Sequence, residues 1–556
     1  MTTGPIVLDG SSLTTIDVGN IVFGIPKDDF GRGGFAPRID IDESCREAVD
    51  RSRRAVEEIV ASGQPAYGIN TGFGDLVRVA IPAEDLKTLQ ANLIRSHACG
   101  VGEEMLPEEV LGMMAIRANS LLNGHSGIRW STIETLVAMI NAGIAPHIPR
   151  IGSLGASGDL CPLSHMTLGM MGEGEVYHRG EGAVWNLKDA ADALNEADIE
   201  PVVLEAKEGL SLINGTSQMC LWIALAERRA TYLMDASEYA LAFSIEGAHA
   251  SADPFDERLN SVRPHPGQMK VAARLRHLLH HSPNMISHAN CEKVQDAYSF
   301  RCAPQVLGAV QESLDHLRTT IEIELNSTTD NPLIFTDKGV NEVVSGGNFH
   351  GEVLAMVSDN FHLAIHELAS ISERRIAKLL DPATTGLPAF LAENPGLNSG
   401  LMIVQYTAAA SIAEIRARLG PSTATNIVVS AQQEDHVSMG ATASWMLLKS
   451  IENCAVVIAA EMLAAVHALS HRNEIVGPNL KNYLESSSSL RVNGATYPSK
   501  DLPVDNFLKT QGTKTADSRR DIEIMNVVNE KIFPRYVFDN FHDIYTCNDI
   551  VHQFVD

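Results

Sequence analysis

Three segments without glycine or proline constrain the fold of this 556-residue chain more than any other feature. They run from Ser217 to Glu246, from Glu352 to Asp381 and from Ala441 to Val476. All three are rich in Ala, Leu, Ile, Met and Glu, which favour helix. Helices of this length would each extend about 45 Å or more. Because their apolar faces must be buried against one another, the sequence predicts a mainly α fold with a long central helical bundle.

The residues before this helical region have a different pattern. Short apolar runs alternate with turns rich in Gly, Pro and Asp, and one helix is predicted from Asp42 to Ser62, ended by Gly63. We therefore predict a smaller mixed N-terminal domain over 1–210, the helical bundle over 211–480, and an irregular or helical tail over 481–556.

Charge and cysteine usage limit the partners and the compartment. The net charge of −26 argues against nucleic acid or an anionic membrane, which need a basic surface. The N-terminal residues lack a signal-peptide pattern, and the apolar stretch Ala455–Leu469 is interrupted by Glu461 and His467. The eight cysteines are scattered without a Cys-x-x-Cys pair. We expect a cytoplasmic protein without a membrane partner.

The tripeptide Ala156-Ser157-Gly158 has an unusual chemical option. If the Gly158 nitrogen attacked the Ala156 carbonyl, a five-membered ring would close, and loss of water would leave a methylidene electrophile. Glycine suits the attacking position because it has no Cβ. The tripeptide alone is also compatible with an ordinary small-residue turn. A serine hydrolase is disfavoured because Ser157 lacks the Gly-x-Ser-x-Gly elbow.

A group of histidines offers a second candidate site. His277, His280, His281 and His288 lie close in sequence, but only His277 and His281 have helical i, i+4 spacing. No acid or cysteine completes a set of ligands, so no metal is expected.

Six motifs carry a resemblance to the aromatic amino-acid lyase family, whose members act on histidine, phenylalanine or tyrosine. The resemblance covers roughly residues 5 to 480. In family order the motifs are Tyr67–Gly74, Gly155–Leu163, Asn214–Thr216, Gln295–Arg301, Gly347–His350 and Gln433–Glu434. It implies a fumarase/aspartase-like architecture and a homotetramer with shared active sites. It also implies a 4-methylidene-imidazol-5-one (MIO) group, formed by the chain itself without a metal or dissociable cofactor.

The resemblance further implies roles for individual residues. Catalytic roles fall to Tyr67, Ala156, Ser157, Gly158, Asn214 and Tyr298, and substrate-binding roles to Ser96, His97, Gln295, Arg301, Phe349 and Glu434. Among these, Tyr67 would remove the β-proton and Arg301 would bind the substrate carboxylate. Phe349 would pack against the MIO ring, while Asn214, Gln295 and Tyr298 would hydrogen-bond the MIO group or the substrate.

Two segments of the sequence indicate the substrate, the pair Ser96-His97 and the motif that contains Glu434. Ser96-His97 and Glu434 are similar to the histidine-specific members, and their polar groups suit an imidazole better than a phenyl ring. We therefore expect elimination of ammonia from L-histidine to give trans-urocanate.

Other positions depart from the histidine-specific pattern. Glu414-Ile415-Arg416 and Ile427–Ser430 differ from it, and Leu160-Cys161-Pro162 replaces the usual Leu-Ala-Pro. A tyrosine or other aryl amino-acid lyase, or a 2,3-aminomutase, therefore stays open. A catalytically silent helical scaffold is the non-enzyme alternative.

Overall fold

The computed structural model describes residues 4–24, 37–72, 81–180, 184–289, 293–336, 341–392, 394–472 and 476–480, and the backbone of two short strands at 491–492 and 495–496. The predicted tail over 481–556 otherwise lies outside the described residues.

Helices dominate the described residues. In chain order they are α1 (Thr15–Phe23), α2 (Arg46–Ser62), α3 (Leu86–His97), α4 (Pro107–Leu122), α5 (Trp130–Ala142), α6 (Leu160–Met170), α7 (Ala190–Glu196), α8 (Glu208–Ile213), α9 (Ser217–Ala248), α10 (Glu257–Ser261), α11 (Pro266–Leu278), α12 (Pro283–Ser287), α13 (Tyr298–Arg301), α14 (Ala303–Glu324), α15 (Glu352–Leu379), α16 (Pro382–Thr385), α17 (Met402–Arg418) and α18 (Gly440–Ser470).

The sheets are small. The strands are β1 (Ile6–Leu8), β2 (Ile39–Ile41), β3 (Val101–Glu104), β4 (Ile144–Pro146), β5 (Pro149–Ile151), β6 (Glu175–Arg179), β7 (Trp185–Asp189), β8 (Leu333–Phe335), β9 (Glu342–Val344), β10 (Arg491–Val492) and β11 (Ala495–Thr496). Strands β1 and β2 are parallel, whereas β3–β5, β4–β6–β7, β8–β9 and β10–β11 are antiparallel. The mainly α fold class is confirmed.

The chain divides into two compact units, each assembled from separate segments. The first unit takes the described parts of Met1–Arg228, Leu317–Asp359 and Pro421–Leu448. The second takes those of Arg229–His316, Asn360–Gly420 and Lys449–Asp556. Four of the five boundaries fall inside α9, α14, α15 and α18, so each of these helices contributes residues to both units, and the fifth follows α17. The predicted division at residue 210 stays a prediction.

All three segments without glycine or proline form helices. Helices α9 and α15 end within two residues of the predicted limits, and α18 ends at Ser470, short of Val476. Helix α18 is long and apolar enough to cross a membrane, but 78% of its most apolar window is buried inside the protein. It is therefore a core helix.

Helix α14 contains a glycine, Gly308, and ends at Glu324, close to Asn326, where the sequence predicts the end of a helix. This glycine has a packing function: a Cβ on it would lie 2.4 Å from the backbone nitrogen of Gln268, at the start of α11. Only glycine permits so close an approach of the two helices in the second unit.

A small apolar core in the first unit supports the turn that carries Tyr67. Val56 of α2, Ile69, Leu86 of α3 and Ile334 of β8 are all buried in it. Gly63 ends α2 in the left-handed conformation, at φ 69°, as the sequence predicts. Burying each such aliphatic side chain contributes about 1.5–3 kcal/mol, which fixes the turn between α2 and α3.

Candidate active site

A cavity of about 1470 Å³ in the first unit brings together most of the predicted site residues. We call it the serine cavity; it is lined among others by Tyr67, Ser96, His97, Ala156, Ser157, Asn214, Phe349 and Glu434. Gly158 follows Ser157 directly in the chain.

The turn that presents Ser157 depends on glycine. Gly155 and Gly158 have φ of 72° and 69°, in the left-handed region that glycine favours. A Cβ on Gly158 would lie 2.3 Å from the carbonyl oxygen of Gly215, so another residue is excluded. The Asp159 amide donates to the same oxygen at 2.7 Å, and the Gly155 amide donates to Ser153 Oγ at 3.0 Å. The backbone around Ser157 is therefore held from both sides.

Two side chains contact Ser157 itself. The Nδ2 of Asn214 donates to the Ser157 carbonyl oxygen at 2.8 Å. The Ser157 hydroxyl donates to Oε1 of Glu434 at 3.2 Å. A donor thus polarises the carbonyl, and a carboxylate accepts a hydrogen bond from the hydroxyl.

Asp159 anchors this turn to α9, a function that the sequence did not indicate. Its buried Oδ2 accepts from the amides of Gln218 and Met219 at 2.8 and 3.1 Å, and Ser153 Oγ donates to Oδ1 at 2.8 Å. Burial raises the pKa of Asp159 to about 6 despite these hydrogen bonds. The carboxylate ties Ser157 to the first turn of a long helix.

The buried hydroxyl of Ser438 was also not predicted. It donates to the carbonyl oxygen of Gly155 at 2.9 Å, and the Gly351 amide donates to that oxygen at 3.0 Å. The sequence places this serine four residues after Glu434, in the segment Gln433–Met439 that resembles the histidine-specific members, but indicates no role for it. The contact joins the segment after Glu434 to the turn before Ser157.

A strained turn presents Glu434. Ser430, Ala431 and Gln432 have φ of 52°, 52° and 72°, which non-glycine residues rarely adopt. The Val429 amide closes the turn by donating to the Glu434 carbonyl oxygen at 3.0 Å. Residues held in this way cost of order 1 kcal/mol or more each and cluster at functional sites.

The environment of His97 determines its tautomer. Its Nδ1 lies 2.8 Å from the carbonyl oxygen of Leu93, one turn earlier in α3. Since a carbonyl can only accept, Nδ1 carries the proton and the neutral ring keeps Nε2 as an acceptor. Ser96 Oγ lies 3.0 Å from both Nδ1 and the Leu93 oxygen, which completes this arrangement.

Besides Gly158, three predicted residues are not among those that line the serine cavity. Gln295 and Arg301 line a cavity of about 840 Å³ in the second unit, which we call the arginine cavity, together with His249, Lys293 and others. Tyr298 is 69% exposed, with the Arg301 guanidinium 4.6 Å from its ring centre. The Arg301 Nε is buried and has no hydrogen-bond partner among the described residues, so it is open to an anion.

A buried ion pair supports the segment that carries Arg301. Arg375 Nη2 donates to Oε2 of Glu461 at 2.7 Å, and Ser244 Oγ donates to Oε1 at 2.7 Å. The same guanidinium donates through Nη1 to the carbonyl oxygen of Ser299, in α13, at 3.3 Å. This support was not predicted either.

The histidine-rich segment shows no metal-binding geometry. Among the described residues, no group of three or more His, Cys, Asp or Glu side chains is placed to hold a metal ion.

Comparison with known proteins agrees with this arrangement. Residues 30–489 match the family model described as aromatic amino acid lyase. A histidine ammonia-lyase from Myxococcus xanthus is 46% identical over 78% of this chain and 84% of its own. The crystal structure of histidine ammonia-lyase from Trypanosoma cruzi superposes with a TM-score of 0.80 at 38% identity, covering 96% of this chain and 95% of the other. Tyrosine aminomutase from Streptomyces globisporus also reaches a TM-score of 0.80, at 32% identity, covering 97% and 99%. The chain belongs to the aromatic amino acid lyase family and is a carbon–nitrogen lyase.

Proposed function

We propose that this lyase eliminates ammonia from L-histidine and yields trans-urocanate. The observation that carries the proposal is the pair His97 and Glu434 on the serine cavity. The Nε2 of His97 is an acceptor and Glu434 is a carboxylate, so both can pair with the N–H groups of an imidazole. The same groups would lie unpaired against a phenyl ring, which costs free energy. The identity to histidine ammonia-lyases supports this choice.

The residues at the tripeptide fit the MIO group of the family. Glycine is required at 158 by the backbone of Gly215, and Asn214 holds the Ser157 carbonyl that becomes the ring ketone. Glu434 accepts from the hydroxyl that would be lost. Once formed, the group supplies an electrophile that assists departure of the substrate's amino group.

The other steps fall to residues of the chain. Tyr67 lines the cavity and takes the β-proton; as the Cα–N bond breaks, the C–H electron pair forms the new double bond and nitrogen leaves as ammonia. Phe349, on the same wall, excludes water from the reacting atoms. Arg301 binds the carboxylate with two parallel N–H donors, and Gln295 and Tyr298 complete that end of the substrate.

The anion-binding residues come from another subunit of a homotetramer. Gln295, Tyr298 and Arg301 belong to the second unit, and within the described residues the Arg301 Nε has no hydrogen-bond partner. Helix α15 also exposes Val353, Met356 and Leu363, apolar side chains that a second copy would cover. This arrangement predicts complementation between inactive chains.

The test of complementation combines Ser157→Ala with Arg301→Ala. Each variant alone is expected to be almost inactive. Co-expressed in equal amounts, they would leave about one quarter of the sites with both groups intact if the groups come from different subunits. Activity that stays at the level of the separate variants would contradict shared sites.

The substrate is tested with purified protein and L-histidine, L-tyrosine or L-phenylalanine, following ammonia and the ultraviolet absorption of the product. Urocanate and ammonia are expected from histidine alone. The variant His97→Leu should lower this activity. The control variant His265→Leu, which changes an exposed histidine outside both cavities, should not. A β-amino acid as product would identify an aminomutase. No turnover of any substrate would identify a silent scaffold.

The identity to these relatives supports a cytoplasmic location, as do the scattered cysteines.

A further inference from the structure

Two cysteines lie behind the serine cavity at the junction of three elements. After α3 ends at His97, the chain passes through Cys99 and Gly100 into β3, whose Val101 pairs with Ile151 of β5. Gly152 follows β5, and a Cβ on it would lie 2.5 Å from Cys161 Sγ and 3.4 Å from the Gly100 Cα. The strand pairing and the start of α6 therefore bring the Cys161 side chain to the Cys99–Gly100 peptide.

The two cysteines are neighbours in this arrangement. The backbone amide and the thiol of Cys99 both influence the pKa of the Cys161 thiol, in agreement with the position of the Cys161 sulfur beside the Cys99–Gly100 backbone. His165, one turn later in α6, accepts from the Gly100 amide at 3.0 Å and fixes the same junction. Cys99 is exposed and Cys161 is buried, and both are free thiols.

We propose that Cys99 and Cys161 are an oxidation site, converted by a peroxide to a disulfide that lowers turnover. The cross-link would join Cys99, two positions after His97, to Cys161, three positions after Gly158. The effect on turnover rests on the proposed function of those residues, whereas formation of the disulfide does not.

The chemistry balances with hydrogen peroxide as the oxidant. The Cys99 thiolate attacks one peroxide oxygen, the O–O bond breaks, and one water is released after protonation, which leaves a sulfenic acid. Cys161 sulfur then attacks the Cys99 sulfur, the S–S bond forms and a second water leaves. Two thiols lose two protons and two electrons, and the peroxide is reduced to two waters.

Accessibility fixes the order of the two thiols. Cys99 is exposed and meets the oxidant first. Burial raises the pKa of Cys161 to about 11, which keeps that thiol protonated until the sulfenic acid forms beside it. A disulfide requires an S–S distance of about 2.05 Å and Cβ atoms about 3.5–4.5 Å apart. Formation of the bond would therefore fix the end of α3 against the start of α6.

A substitution at 161 gives a suitable variant. Alanine keeps the Cβ of Cys161 and removes only the sulfur, so Cys161→Ala should fold and turn over substrate normally. Cys454→Ala removes another buried free thiol, from α18, and is the matched control.

The experiment treats the purified full-length protein with hydrogen peroxide, blocks remaining thiols with an alkylating agent, and analyses the digest by mass spectrometry. We expect a peptide pair joined through Cys99 and Cys161, two hydrogens lighter than the separate peptides. Turnover should fall at least about tenfold, since small shifts of positioned groups are costly, and recover with dithiothreitol. Cys161→Ala should keep its turnover in peroxide, whereas Cys454→Ala should respond like the wild type.

Three results would overturn the proposal: no joined peptide, a joined peptide without loss of turnover, or equal inactivation of the wild type and Cys161→Ala. The peptide pair is read without any substrate. A protein inactive on histidine that still forms it would contradict the proposed function and leave the oxidation site intact.

Discussion

The serine cavity and the arginine cavity are held by different kinds of structure. Around Ser157, the first unit uses short turns with positive-φ residues and hydrogen bonds to backbone atoms, as at Gly155, Asp159 and Glu434. Beside Arg301, the second unit uses packed helices and the buried pair Arg375–Glu461, and it leaves the Arg301 Nε open within the described part of the chain. In the proposed function, bond breaking falls to the first cavity and anion binding to the second.

The largest effect is expected from Ser157→Ala. Loss of the proposed electrophile should lower kcat by at least about 10³-fold while helix content, measured by circular dichroism, stays unchanged. Ser62→Ala, at an exposed position at the end of α2, is the control and should stay active. If Ser157→Ala turned over histidine normally, the chemistry would not belong to this cavity.

The next effect is on stability and concerns Glu461→Gln. Removing one partner of a buried ion pair leaves the Arg375 charge uncompensated and should lower the free energy of unfolding by about 3–5 kcal/mol. Because Arg375 also holds the Ser299 carbonyl, KM should rise as well.

Ser244→Ala is the control for this variant, since it removes only one hydrogen bond to the same carboxylate, worth about 1 kcal/mol. Thermal unfolding and steady-state kinetics measure both effects. Equal stability of the two variants would show that the ion pair is unimportant to the second unit.

Arg301→Lys should mainly affect substrate binding. A lysine keeps the charge but loses the paired donors, so KM should rise about 10- to 100-fold with a smaller change in kcat. Lys293→Met removes another cation of the arginine cavity and should change KM far less. Similar KM values for both variants would indicate a diffuse positive potential in place of a specific anion site.

The smallest effect concerns pH and Glu238 of α9. Burial raises the pKa of Glu238 to about 7 from 4.5, against the opposing effect of Arg274. The folded state therefore holds this proton more tightly than the unfolded state. The resulting stability is fully present below pH 4.5 and is lost as pH rises through about 7.

Glu238→Gln should accordingly lose less melting temperature between pH 5 and pH 8 than the wild type does, by calorimetry at each pH. Glu257→Gln, an exposed carboxylate, should leave the slope unchanged. An identical slope in wild type and Glu238→Gln would mean that Glu238 does not titrate in this pH range.

Local composition was enough to predict the helices. Segments without glycine or proline became α9, α15 and α18, and Gly63 ended α2 as predicted. The packing function of Gly308 in α14 could not be predicted, because this glycine has the same appearance in sequence as a glycine that breaks a helix.

The site was predictable only in part. Family motifs indicated Tyr67, Ser157 and Glu434, but spacing alone could not bring them to one cavity, since they are far apart in the chain. Asp159 and Ser438 act through buried hydrogen bonds that no local pattern encodes. The roles of the motif residues stay predictions until the variants are measured.

The contact between the backbones of Gly158 and Gly215 limits how this enzyme could be redesigned. A side chain at 158 would overlap the 215 carbonyl, and a Cβ at 215 would lie 2.1 Å from the guanidinium of Arg117. Libraries that randomise these glycines would consist largely of inactive variants. The wall formed by α3, with Leu89, Asn92 and Leu93, has no such restriction, so a broader substrate range is better sought there.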